Sequence, residues 1–73
     1  MATRNQKSIS AFGRKVKALR EKKGLSQYKL ADEADIDRSQ IINIENGTAN
    51  PTLNTICALA AALEVKVRDL VEF

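Results

Sequence analysis

The sequence predicts an all-α fold, a compact bundle of five short helices, and three observations carry that expectation. Apolar residues recur at steps of three and four, the spacing that lines one side of a helix, and no segment shows the alternation of a half-buried strand. Glycines and cap-forming residues fall where the periodic runs stop and start, at Gly24, Ser26, Asp37, Gly47 and Thr52. At the centre, Leu25 to Gly47 holds two such runs separated only by Asp35 and Ile36, a corner that lets two helices meet at a steep angle.

Residues 1–7 are polar and basic without periodicity and read as a flexible arm, in which Arg4 and Lys7 are candidates to reach phosphates or an adjacent groove. The alternative is a terminus with no role. Residues 8–73 make one domain. Its first helix starts at Ser8 with Ile9, Phe12, Val16 and Leu19 inward, and Gly24 ends it in a left-handed cap. Arg14, Lys15, Lys17 and Lys22 lie on its exposed face, with Arg20 beside the buried side.

Ser26 caps a second helix from Gln27 to Ala34, and Asp37 caps a third over about 38–45 in the same way. Leu30, Ala31, Ala34, Ile36, Ile41 and Ile44 face inward, with Ala31 small enough for the helix axes to approach. Thr52 caps a fourth helix marked by Leu53, Ile56, Leu59, Ala60 and Leu63, in which Cys57 reads as a small buried hydrophobe. Val67 to Val71 fit a short fifth helix with Leu70 inward. Val65, Val67, Val71 and Phe73 are more apolar residues than that end needs for its own core. They are candidates for a homodimer interface, although Val71 and Phe73 have the alternative of closing the bundle.

A chain of 73 residues supports one small core. It has no histidine and a single cysteine, so neither an intramolecular disulfide nor a thiolate metal cluster is available. No metal, cofactor or small-molecule ligand is expected. Nor is an enzyme: no nucleophile has a histidine base, and adjacent carboxylates such as Asp32 and Glu33 point different ways on a helix. With no apolar run near the length of a membrane span and no secretion signal, a soluble cytoplasmic protein is expected. The net charge of +3 is unevenly spread. Up to Lys23 the only acid is Glu21 against eight cations, and beyond it acids outnumber bases eight to four. A basic N-terminal third suits a polyanion, although a charge run is more often a solvated helix face.

The outward side of the third helix carries Arg38, Ser39, Gln40, Ile42 and Asn43. Arginine and amide groups hydrogen-bond base edges in pairs and Ile42 suits a thymine methyl, so this face has the chemistry of major-groove readout. Arg38 has an alternative partner in Asp35 or Asp37. Gln27, at a helix start with free backbone N–H groups, is a candidate phosphate clamp. Asn46 and Thr52 are further phosphate candidates, as is Lys15, and Tyr28 suits packing over the sugar-phosphate backbone.

From Leu25 to Gly47 the chain resembles the helix-turn-helix of the Xre/Cro-like family, to which the lambdoid phage repressors belong. The resemblance rests on Gln27 opening the first motif helix, Ala31 four residues on, Ile36 after the turn, Ile41 and Ile44, and the closing Glu45-Asn46-Gly47. It departs at Asp35, where the family usually has glycine; Asp35 is expected to adopt a left-handed conformation at a cost of ~1 kcal/mol. It departs again at Glu64 and Lys66, and in the loop at Thr48, Asn50 and Pro51, where the family often has a basic residue. The resemblance covers about Val16 to Leu70. It implies the lambda repressor-like DNA-binding fold, a phosphate contact by Gln27, and a partly buried ion pair between Arg20 and Glu45. It also implies a regulator of transcription, such as a repressor, that binds double-stranded DNA at a palindromic operator as a homodimer. The same helices occur in antitoxins and coactivator-like adaptors, so a protein-interaction module is the alternative.

Overall fold

The computed structural model describes residues 4–73, excluding the side chain of Arg4, so the expectations for residues 1–3 and for the Arg4 side chain lie outside the described residues. The described chain is all helical: α1 (Arg4–Lys22), α2 (Gln27–Ala34), α3 (Arg38–Glu45), α4 (Leu53–Leu63) and α5 (Val67–Val71). None of these helices is long and apolar enough to cross a membrane.

Local chemistry accounts for most boundaries. The Ser26 hydroxyl accepts the Lys29 N–H at 3.0 Å, and the Thr52 hydroxyl accepts the Thr55 N–H at 3.1 Å, so α2 and α4 start on side-chain caps. α1 ends with Gly24 at φ 77°, and the Leu25 N–H returns to the Arg20 carbonyl at 3.0 Å. α2 and α4 close in the same way on Asp35 (φ 57°) and Glu64 (φ 59°), with Ile36 N–H on the Ala31 carbonyl and Val65 N–H on the Ala60 carbonyl, both at 3.0 Å. The left-handed aspartate expected at the turn is therefore present, and a glutamate repeats the arrangement. The Asp69 carboxylate accepts the Lys66 N–H at 3.0 Å at the start of α5.

Three expectations are corrected. α1 begins at Arg4 rather than Ser8, so residues 4–7 are helical and not an arm. The added turn has a tertiary anchor, because Gln6 Nε2 donates to the Gly47 carbonyl at 3.0 Å and to Ser10 Oγ at 3.1 Å. Asp37 has the extended backbone of an N-cap but no side-chain cap bond. Cys57 is an exposed free thiol instead of a buried hydrophobe, and Leu53 near it is 72% exposed. An alanine-rich helix has more than one apolar stripe; the side carrying Ile56, Leu59, Ala60 and Leu63 packs inward, with Thr55, Ala58 and Ala62 covered beside it. Leu53 and Cys57, one turn apart, share the uncovered side.

The core joins Phe12 and Val16 of α1, Leu30, Ala31 and Ala34 of α2, Ile41 and Ile44 of α3, Leu59, Ala60 and Leu63 of α4, and Leu70 of α5. Val65 and Val67 are partly buried against it, whereas Val71 and Phe73 stay exposed and do not close the bundle. Buried Gly13 marks the closest approach: a Cβ there would stand 2.1 Å from the Ile44 carbonyl oxygen and 3.2 Å from Glu45 Cα. Glycine is required because the backbones of α1 and α3 touch.

Candidate nucleic-acid interface

α3 turns Ile41 and Ile44 into the core, which leaves the opposite side of the helix to solvent. At 100° per residue, Ser39, Ile42, Asn43 and Asn46 cluster opposite the buried pair. Ser39, Asn43 and Asn46 are exposed and Ile42 is half-buried. Asn46, expected as a phosphate contact, thus stands in line with the base-reading candidates. Arg38 is exposed on the α2 flank and borders a shallow depression with Tyr28, Asp32 and Asp37. Among the described residues it makes no ion pair with Asp35 or Asp37, so its guanidinium is free. Gln40 is half-buried and borders a second depression with Asp35, Asn54 and Thr55, at the edge of the face rather than its centre.

Beside this face, three segments meet at one carboxylate. Glu45, the last residue of α3, has a side chain only 2% exposed. Its Oε2 accepts from Arg20 Nε at 2.7 Å, and its Oε1 accepts from Arg20 Nη2 at 3.1 Å. Gln27 Nε2 donates to the same Oε1 at 3.0 Å, and Arg20 Nη1 donates to the Leu25 carbonyl at 2.7 Å. The hydrogen bond that Arg20 donates to Glu45 holds the Arg20 proton more tightly than usual; burial opposes it, and the charges of Glu45 and Glu21 reinforce it. The fork-shaped guanidinium suits this two-point contact, and no buried side-chain polar atom among the described residues lacks a partner.

The first turns of α2 and α3 contain no acid, so the positive ends of both helices are not neutralised from within. Gln27 is half-buried at the head of α2, with Tyr28 next to it 67% exposed. Thr52 is exposed at the head of α4, its hydroxyl engaged in the cap.

One of the cations expected at phosphates, Lys15, is turned away from α3. Lys7 and Lys15 border a depression with Ala11, Arg14, Ala18 and Phe73. Lys15 is five residues from both Ser10, which lies against Gly47, and Arg20, which binds Glu45; it therefore stands about 140° around α1 from the side that packs on α3. Lys17 is exposed and lies three and four residues from Arg20 and Gly13, on the side of α1 that meets α3. The sequence expectation puts Lys17 only on the solvated face of α1. The step Gly13-Lys17-Arg20 carried the missing signal, had Gly13 been read as a close approach. Among the described residues, no group of three or more potential ligands is placed to hold a metal ion.

Comparison with known proteins agrees with this geometry. A helix-turn-helix family profile matches residues 16–70. The chain is 44% identical over 63 residues to the control protein C.BamHI of Bacillus amyloliquefaciens, covering 85% of this chain and 78% of that one. It is 39% identical over 59 residues to the immunity repressor of Bacillus phage phi105, covering 81% of this chain and 41% of the repressor. The crystal structure of the restriction-modification controller protein C.AhdI from Aeromonas hydrophila superposes with a TM-score of 0.84 at 40% identity, over 85% of this chain and 94% of that one. The paired helices α2 and α3, the left-handed turn between them and the matched span together place this chain in the helix-turn-helix family of Xre/Cro-like DNA-binding regulators.

Proposed function

We propose that this protein reads double-stranded DNA with α3 in the major groove and regulates transcription from a palindromic operator as a homodimer. The observation that carries the reading is the exposed polar side of α3, flanked by the head of α2 with unneutralised N–H groups. Arg38, Ser39 and Asn43 take base edges, with Ile42 suited to a thymine methyl and Gln40 at the margin. Gln27 and the first N–H groups of α2 hold a phosphate, Tyr28 packs beside the backbone, and Asn46 and Thr52 border the same strand. On α1, Lys17 takes the place expected of Lys15, with Lys7 one candidate further toward the start of the helix. The relatives named above are regulators rather than enzymes, two of them control or controller proteins, and a role of that kind fits this chain.

One helix-turn-helix covers a single half-site, so specificity calls for a second copy about one helical turn away. Val71 and Phe73, exposed beyond the core, are the residues of the α4–α5 end that remain free to meet it, while Val65 and Val67 contribute what their own core leaves uncovered. Sequence selection from a random DNA pool tests the whole reading. The expected outcome is a palindromic consensus, which would establish both readout and dimer. Recovery of no preferred sequence would favour a protein-interaction adaptor.

A further inference from the structure

The carboxylate of Glu45 accepts three hydrogen bonds from two side chains on different segments, Arg20 from α1 and Gln27 from the head of α2. A carboxylate offers only acceptors, so Gln27 must present its amide nitrogen to it. That bond uses one of the two amide hydrogens. Among the described residues the second hydrogen has no protein partner. It belongs to the first residue of α2, where the N–H groups of Gln27 and Tyr28 are also unused while Ser26 takes those of Lys29 and Leu30. A glutamine side chain has three rotatable bonds, and here it is anchored before any ligand arrives.

Resting on the DNA reading above, we infer that the Arg20–Glu45 pair positions the Gln27 amide for its phosphate contact, so that an ion pair buried behind the interface sets affinity for the DNA backbone. Glu45 orients Gln27. Arg20 offsets the negative charge that Glu45 would otherwise hold close to a phosphate, and its bond to the Leu25 carbonyl at 2.7 Å holds the segment entering α2. Preorganisation of this kind strengthens binding by removing the cost of ordering a long side chain on contact. Arg20 and Glu45 are positioning residues; they do not touch DNA.

A double-mutant cycle on the full chain tests this, with Glu45→Gln, Gln27→Ala and both together. Each is assayed by fluorescence anisotropy against a short mixed-sequence duplex at low salt, and by circular dichroism to verify folding. Glu45→Gln should weaken binding about tenfold when Gln27 is present, the scale of a lost charge-assisted hydrogen bond, and add no loss in the Gln27→Ala background. Equal losses in both backgrounds, with wild type binding normally, would overturn the positioning role and leave the DNA reading standing. A wild-type chain that binds no duplex would overturn both. Should Glu45→Gln alone prove unfolded, Arg20→Met combined with Glu45→Gln avoids leaving a buried charge unpaired and enters the cycle in its place. Nitrogen relaxation of the Gln27 side-chain amide in DNA-free wild type gives a readout without any substitution. A rigid amide is expected, and one as mobile as those of exposed glutamines would overturn the inference.

Discussion

Replacing Gly13 with alanine sets two opposing effects against each other, and the structure says which wins. Gly13 is in the interior of α1, where helix propensity alone favours alanine by about 1 kcal/mol. The new methyl would stand 2.1 Å from the Ile44 carbonyl oxygen, 3.1 Å from its carbon and 3.2 Å from Glu45 Cα. Unstrained carbon contacts lie near 3.5–4.0 Å, so α1 and α3 must part locally by roughly 1 Å or more. All the obstructing atoms are backbone, and no rotamer change relieves them. Overpacking typically costs ~1–3 kcal/mol, and the upper end applies because the displaced segment carries Glu45, whose bonds to Arg20 and Gln27 would lengthen together. The net expectation is a loss of about 2 kcal/mol. For a domain of this size each kcal/mol moves Tm by about 4–8 °C, so Gly13→Ala should melt roughly 8–16 °C below wild type. Thermal denaturation followed by circular dichroism, with urea titration at fixed temperature, measures it. A Tm unchanged or raised, as propensity alone would give, refutes the close approach of α1 and α3.

Arg20→Ala should lose more stability than Arg20→Met, because methionine keeps the packed stem while both leave Glu45 buried without its partner, an effect of about 3–5 kcal/mol. If neither substitution moves the melting temperature, the pair contributes nothing. Arg38→Ala and Asn43→Ala should cost ~1–3 kcal/mol on a selected operator and little on a scrambled duplex, whereas Gln27→Ala weakens both alike and Lys17→Ala lowers the salt slope by about one unit. Equal effects of Asn43→Ala on the two duplexes would remove sequence readout from α3. The exposed carboxylate of Glu64 is held below its usual range by the hydrogen bond and charge of Lys23. A lowered folded-state pKa contributes stability that is present above the unfolded-state value and lost as pH falls through the folded one. Glu64→Gln should therefore lose less Tm than wild type on acidification, with the difference fading in high salt. Parallel acid limbs in the two Tm-versus-pH curves would contradict the link.

What the sequence by itself determined is local. The helix count, the inward faces of α2 and α3, the caps at Ser26 and Thr52 and the left-handed turn at Asp35 follow from periodicity, cap chemistry and backbone sterics. Each of these acts within about a turn of chain. The outward chemistry of α3 was legible for the same reason, because burying Ile41 and Ile44 fixes the other side of the helix. What only the tertiary structure decided depends on segments far apart in sequence. α1 reaches back to Arg4 as Gln6 meets the Gly47 carbonyl, and Gly13 is required because Ile44 lies against it. α4 offers apolar groups on several sides, and the packing of its neighbours left Leu53 and Cys57 outside. Asp37 keeps the N-cap backbone without the cap bond. The choice of Lys17 over Lys15 is of this kind too. Both are basic residues on one helix, and only the rotation of α1 about its own axis, set by the Gly13 and Arg20 contacts with the end of α3, separates the cation beside α3 from the one turned away.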